Sequence, residues 1–173
     1  MLQVGTILHG TYKIESYLSS GGFGNTYLAK NIEFDETYAI KEFFVKGVCQ
    51  RDGNSTTISV SNAENTNSFE QQREKFKKEA RRLRSLSNPH IVKVYDLFEE
   101  NGTAYYVMDY VDGENLSTRL KRTNASLAES EVRNYLNQIL DGLEAIHNEG
   151  MFHLDIKPAN IMVDSHDVVK LID

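Results

Sequence analysis

Four polar residues near the end of the chain, Asp155, Lys157, Asn160 and Asp173, are set in otherwise apolar stretches, "FHLDIKPANIMV" and "VVKLID". Their types suit one chemistry. An aspartate such as Asp155 can take the proton of an attacking hydroxyl, and a lysine two residues later can neutralise a phosphoryl group in transfer. Asn160 and Asp173 offer the oxygen ligands that Mg²⁺ favours. A polar surface loop is the bland alternative, and it explains poorly why four such residues sit inside apolar sequence.

A second group lies near the start. Gly21, Gly22 and Gly24 of "SSGGFG" fall between two strand-like stretches, where the lack of side chains lets backbone N–H groups approach phosphates. A plain glycine hairpin would read the same way. In "YAIKEFF" strand alternation puts Ala39 and Lys41 on one face and Tyr38 and Ile40 on the other. Lys41 can therefore reach back toward an anion held at the hairpin. Glu79, on the inner side of a basic helix near Phe76 and Leu83, is the acid that would orient it. Taken singly, each of these also fits an ordinary surface charge; together they describe a phosphate-binding arrangement.

The elements that must position these residues follow from the pattern. "YKIESYL" (12–18), "NTYLAKNIEF" (25–34) and "YAIKEFF" (38–44) are rich in aromatic and β-branched residues and predict an antiparallel meander. The polar stretch 45–68 reads as a long surface insertion with a short strand at "TTISVS". Phe76, Ala80, Leu83 and Leu86 recur at helical steps and predict a helix over 69–86, ended by Asn88-Pro89. Two further strands, 91–100 and 103–111, are joined at Asn101-Gly102. "ENLSTRLKR" predicts a short helix. A longer one is expected from Ser126, with Glu129 at capping-box spacing and an apolar stripe of Val132, Leu136, Ile139, Leu143 and Ile146 up to a stop at Gly150. Five strands and a helix followed by a helical part make an α+β chain in two lobes.

Composition limits the function classes. The 173 residues carry 19 Lys and Arg against 25 Asp and Glu, a net charge of −6, which argues against nucleic acid as the main partner. The cationic run "REKFKKEARRLR" (73–84) is the exception, and it reads as the solvated face of a helix rather than a binding patch. The single cysteine, Cys49, excludes an internal disulfide and a cysteine-based metal site. The start "MLQVGTILHGTYK" has no apolar core after a basic segment, and no apolar run reaches the ~18 residues of a membrane helix. A cytoplasmic location with no membrane segment is the expectation.

In order along residues 12–173, "LSSGGFGNTYLA", "YAIK", "FKKEARRLRSLSNPHIVKVYD", "YYVMDYVDGENL", "HLDIKPANIMV" and "KLID" resemble the successive motifs of eukaryotic-type protein kinases, most like the bacterial serine/threonine kinases. The resemblance implies a two-lobe kinase fold: a five-stranded antiparallel N-lobe sheet with its helix (1–109), then the beginning of a helical C-lobe with an incomplete set of helices (110–173). It also implies roles. Leu18, Ser19, Gly21, Gly22, Gly24, Thr26 and Ala39 would enclose ATP from one side, with Met162 on the other. Lys41, paired with Glu79, would hold the α- and β-phosphates. Met108 would be the gatekeeper, with the backbone of Asp109 and Val111 at the adenine edge. Asp155 would be the catalytic base, Lys157 would contact the γ-phosphate, and Asn160 with Asp173 would bind Mg²⁺. The implied partners are ATP and a protein substrate bearing Ser or Thr, with no nucleic acid.

The chain departs from the family pattern in three places. Ser19 replaces the first loop glycine and Thr26 the usual valine, changes that tune nucleotide affinity. His153-Leu154-Asp155 replaces His-Arg-Asp, which implies a kinase not switched on through that arginine. The sequence stops at the Asp of Asp-Phe-Gly, so the resemblance implies a fragment of a catalytic domain. Its long helix would be only partly covered, leaving a surface for association. Two other readings stay open: a non-catalytic module that binds nucleotide or another chain, and a nucleic-acid binder using 73–84.

Overall fold

The computed structural model describes residues 1–124 and 126–172. The chain divides into two compact units. The first takes Met1–Arg84 and Val94–Tyr110; the second takes Ser85–Lys93 and the chain from Val111 onward.

The first unit is built on strand alternation. Its antiparallel sheet holds β1 (Ile7–Leu8), β2 (Tyr12–Gly21), β3 (Gly24–Asn31), β4 (Glu36–Phe43), β7 (Val94–Glu100) and β8 (Thr103–Asp109), in the order β1-β2-β3-β4-β8-β7. The five long strands are those expected from the sequence. The two-residue β1, too short to show a period, was not anticipated. Along β4, Lys41 and Phe43 face α1 (Thr66–Ser85): the Phe43 ring lies 5.2 Å from Phe69 and 5.5 Å from Phe76, and Phe76 lies 4.9 Å from Tyr106. The opposite face buries Leu2, Leu8, Tyr12, Ile14, Tyr27, Ile40, Phe98, Tyr105 and Val107 in one cluster. The N-terminal residues thus cover a sheet face that the meander alone would leave wet.

The segment 45–68 is not simply a surface insertion. It pairs β5 (Cys49–Gln50) with β6 (Ser59–Val60) and buries Cys49 and Ile58. The Ile58 amide donates to the Asn101 carbonyl at 2.8 Å, which seats the hairpin on the β7–β8 turn. From β5's end the Arg51 guanidinium reaches Glu42 on β4, with Nη2–Oε2 at 2.6 Å. A polar stretch reads as solvated because most charges are; here a charge is buried against a charge.

In the second unit β9 (Gly113–Asn115), β10 (Ile161–Asp164) and β11 (Val169–Leu171) form a small antiparallel sheet in the order β11-β10-β9. Asn115 caps α2 (Leu116–Arg122), its side chain accepting from the Thr118 amide at 2.8 Å. The long helix α3 (Glu129–Asn148) starts three residues later than expected. Its N-cap is Ala128, whose amide donates to the Glu131 carboxylate at 3.2 Å, so Glu131 rather than Glu129 makes the back-bond. The buried face of α3 is Tyr135, Ile139, Gly142 and Ile146. A Cβ on Gly142 would lie 3.3 Å from the His90 carbonyl, so the missing side chain permits close packing there. Val132 and Leu136, which the sequence placed in the stripe, stay exposed with Leu140. No helix of the described residues is long and apolar enough to cross a membrane.

Candidate active site

The β2–β3 hairpin carries the glycine loop. Gly21 pairs with Gly24 and Ser19 with Thr26, and Leu18 falls in the register shift between Tyr17 and Ser19, a bulge that bends the strand into the loop. The glycines differ in what they do. A Cβ on Gly21 or Gly22 would meet nothing within 4 Å, whereas one on Gly24 would lie 2.6 Å from the Glu42 carbonyl oxygen. Packing against β4 therefore accounts for Gly24. Among the described residues nothing requires glycine at 21 and 22.

Thr26 and Lys41 are register partners, and so are Ala39 and Met108. The Lys41 ammonium stands 3.9 Å from Glu79 Oε1, at the outer reach of an ion pair, and 5.7 Å from the Tyr106 ring centre. The lysine is mostly buried and the glutamate half-exposed. Met108 is buried in β8, and Asp109 at its end accepts the Tyr95 hydroxyl at 2.7 Å.

In the second unit a tight turn gathers the other group. Asp155 Oδ2 lies 3.0 Å from Lys157 Nζ, and Asn160 Nδ2 donates to both the carbonyl and Oδ2 of Asp155 at 3.0 Å. The Asp155 amide in turn donates to His153 Nδ1 at 3.3 Å. Hydrogen bonding from the Lys157 ammonium, with the Asn160 amide and His153 adding to it, holds the Asp155 carboxyl below the usual aspartate range. It is an ionised acceptor on an exposed turn. Asn160 is buried, and its backbone is fixed on both sides: its amide donates to the Lys157 carbonyl and its carbonyl accepts from the Ile172 amide. Leu154, between His153 and Asp155, has φ +63° and is 91% exposed. Met162 is half-buried in β10, paired with Asn115 and Lys170, and Val111 is half-buried just before β9. Asp173 lies outside the described residues.

The structure thus brings Ser19, Thr26, Lys41 and Glu79 together in one unit, and Asp155, Lys157 and Asn160 in the other. Sequence reasoning missed the cluster of Asn25, Glu42 and Arg51: Asn25 follows Gly24, Glu42 follows Lys41 with its side chain on the other face of β4, and Arg51 pairs with Glu42. The signal was present for Glu42: alternation from the buried Ile40 places it on the inner face, next to the residue that drew attention.

The family model for the protein kinase domain matches residues 12–173. The chain belongs to the protein kinase family. Kinases of the serine/threonine class are among its relatives: PrkC of Bacillus subtilis is 33% identical over 170 residues, 98% of this chain and 23% of that protein. The probable kinase PknB of Lactococcus lactis is 31% identical over 174 residues, 100% of this chain and 25% of that protein. Mitogen-activated protein kinase kinase kinase 2 of Arabidopsis thaliana is 33% identical over 156 residues, 90% of this chain and 22% of that protein. The chain spans about a quarter or less of the length of these relatives. A solved structure described as PpkA-294 in its apo form matches with a TM-score of 0.94 at 28% identity, covering 100% of this chain and 61% of that one. The kinase fold, with its antiparallel N-lobe sheet, is the fold of this chain.

Proposed function

We propose that this kinase chain binds Mg²⁺-ATP and supplies the phosphotransfer residues of a serine/threonine kinase acting on protein hydroxyls. The observation that carries the reading is the turn at Asp155, where a carboxylate held ionised shares its Oδ2 with Lys157 and Asn160. Asp155 orients the acceptor hydroxyl and takes its proton as the oxygen attacks phosphorus. Lys157 steadies the transferring γ-phosphoryl. Lys41, oriented by Glu79, holds the α- and β-phosphates, and the open space at Gly21 and Gly22 suits backbone approach to phosphate oxygens. Leu18, Ser19, Gly24, Thr26, Ala39 and Met162 contact the nucleotide; Met108 stands behind the adenine, and the backbone of Asp109 and Val111 meets its edge.

The donor set fits Mg²⁺. Asn160 uses its amide nitrogen in both bonds to Asp155, so the amide oxygen is the atom a cation would take, with the carboxylate of Asp173 as the second ligand. When bound, the ion neutralises phosphate charge as it develops. Residues 1–109 act as the N-lobe and 110–173 as the start of the C-lobe, in a protein working in the cytoplasm.

Calorimetry with Mg²⁺-ATP on the wild-type chain and on Lys41→Ala tests the reading. Binding that is lost in the variant supports the site; equal binding by both removes Lys41 from it. A folded wild type that binds no nucleotide overturns the reading for this chain. A second reading, a module that binds nucleotide or another chain without transferring phosphate, is favoured by the exposed apolar row Val132, Leu136 and Leu140 on α3. Phosphate transfer to a serine or threonine peptide by the wild type, absent in Asp155→Asn, would exclude it.

A further inference from the structure

The β5–β6 hairpin is the part of the first unit to which phosphotransfer assigns no task, yet it delivers a buried charge. Arg51 meets Glu42 in a two-pronged pair, Nη2–Oε2 at 2.6 Å and Nη1–Oε1 at 3.2 Å, with the two side chains 3% and 0% exposed. Arg51 is fixed within its own hairpin as Nε donates to the Thr56 carbonyl at 3.0 Å. Glu42 also accepts from Asn25 Nδ2 at 3.1 Å and from the Tyr27 hydroxyl at 3.4 Å.

The position of this pair matters more than its strength. Glu42 follows Lys41 in β4, and Asn25 follows Gly24 at the exit of the glycine loop. Gly24 already rests on the Glu42 carbonyl, where a Cβ would come within 2.6 Å. One residue therefore ties the loop exit to the strand that carries Lys41, by its backbone on one side and its carboxylate on the other. A buried ion pair is a weak source of stability, since apolar replacements often do as well, but it fixes geometry because each partner has few alternatives. We infer that Arg51 is a positioning residue for the nucleotide site: by clamping Glu42 it sets the glycine-loop exit against Lys41. This rests on the reading of the loop and Lys41 as the place where nucleotide phosphates bind.

The test compares Mg²⁺-ATP affinity with thermal stability in the wild-type chain, Arg51→Lys, and the double variant Glu42→Gln with Arg51→Met. Lysine keeps the charge but loses the fork, so Arg51→Lys should fold and bind about tenfold more weakly. The double variant leaves no unpaired buried charge, so its melting temperature should lie close to the wild type while its affinity stays reduced. A merely structural role would make affinity return with stability. Wild-type affinity in either folded variant overturns the inference while leaving the nucleotide site standing. Absence of binding by the wild type overturns the nucleotide reading itself, and the inference with it.

Discussion

At the scale of single residues, the protonation state of Asp155 is set by its neighbours. Lys157 donates to its carboxylate, and Asn160 and His153 lend further positive potential, so the carboxyl titrates below the ordinary aspartate value of about 3.9. The sign follows. The interaction is complete above the unfolded value and is lost as pH falls through the lowered folded value. The turn is exposed, so the consequence is for chemistry rather than stability: Asp155 stays an acceptor throughout the physiological range. Substituting Lys157→Met should raise the Asp155 titration midpoint, read from the side-chain carboxyl carbon by NMR. An unmoved midpoint would show that Lys157 is not what holds the carboxyl down.

At the scale of elements, glycines separate into those that the fold needs and those that it does not. Asn101 and Gly102 join β7 to β8 with φ of 54° and 74°, the two positive values of a type I′ turn. Gly102 also lies under the hairpin, where a Cβ would sit 2.8 Å from the Ile58 carbonyl. Gly102→Ala should therefore cost about 1–3 kcal/mol in urea denaturation, from left-handed strain and the clash together. Gly22 meets neither demand. Gly22→Ala should change stability by no more than about 0.5 kcal/mol while weakening Mg²⁺-ATP binding, because only a ligand needs that space. A loss of stability at Gly22 as large as that at Gly102 would mean that the loop is shaped by packing instead.

At the scale of the molecule, the first unit buries its sheet on both faces, and much of that burial is tyrosine. Burial pushes Tyr27 up to about 12, with the Glu42 charge adding to it, and Tyr105 rises further for the same two reasons. Tyr38 and Tyr95 are also pushed up to about 12, chiefly by hydrogen bonds to Glu36 and Asp109. Each of these groups is neutral in the folded chain where its unfolded counterpart has ionised. Their contribution is complete below the ordinary tyrosine value of about 10 and is lost as pH rises through about 12. Urea midpoints measured across that alkaline window should fall steeply, and tyrosinate absorbance should rise together with unfolding. Ionisation of Tyr27 near pH 10 in a chain that remains folded, read as tyrosinate absorbance lost in Tyr27→Phe, would contradict its burial.

Most of the strands and the helices were readable from adjacent positions, as were the residues gathered at the Asp155 turn. Alternation put Lys41 and Ala39 on one face, helical spacing marked the helix carrying Glu79, and Asn101-Gly102 marked its turn, because each of these is a local rule of the backbone. The helix start was less legible, since Ser126 and Ala128 compete for the cap and only the Glu131 back-bond decides it. Which side of α3 is buried depended on Gly142 meeting His90, a contact that hydrophobic spacing does not encode. The same holds for the hairpin of 45–68. Polar residues are usually solvated, so Arg51 reads as surface until the folded chain places Glu42, Asn25 and Tyr27 around it. A buried pair is defined by what excludes water from it, and that is a property of segments brought together from distant parts of the chain.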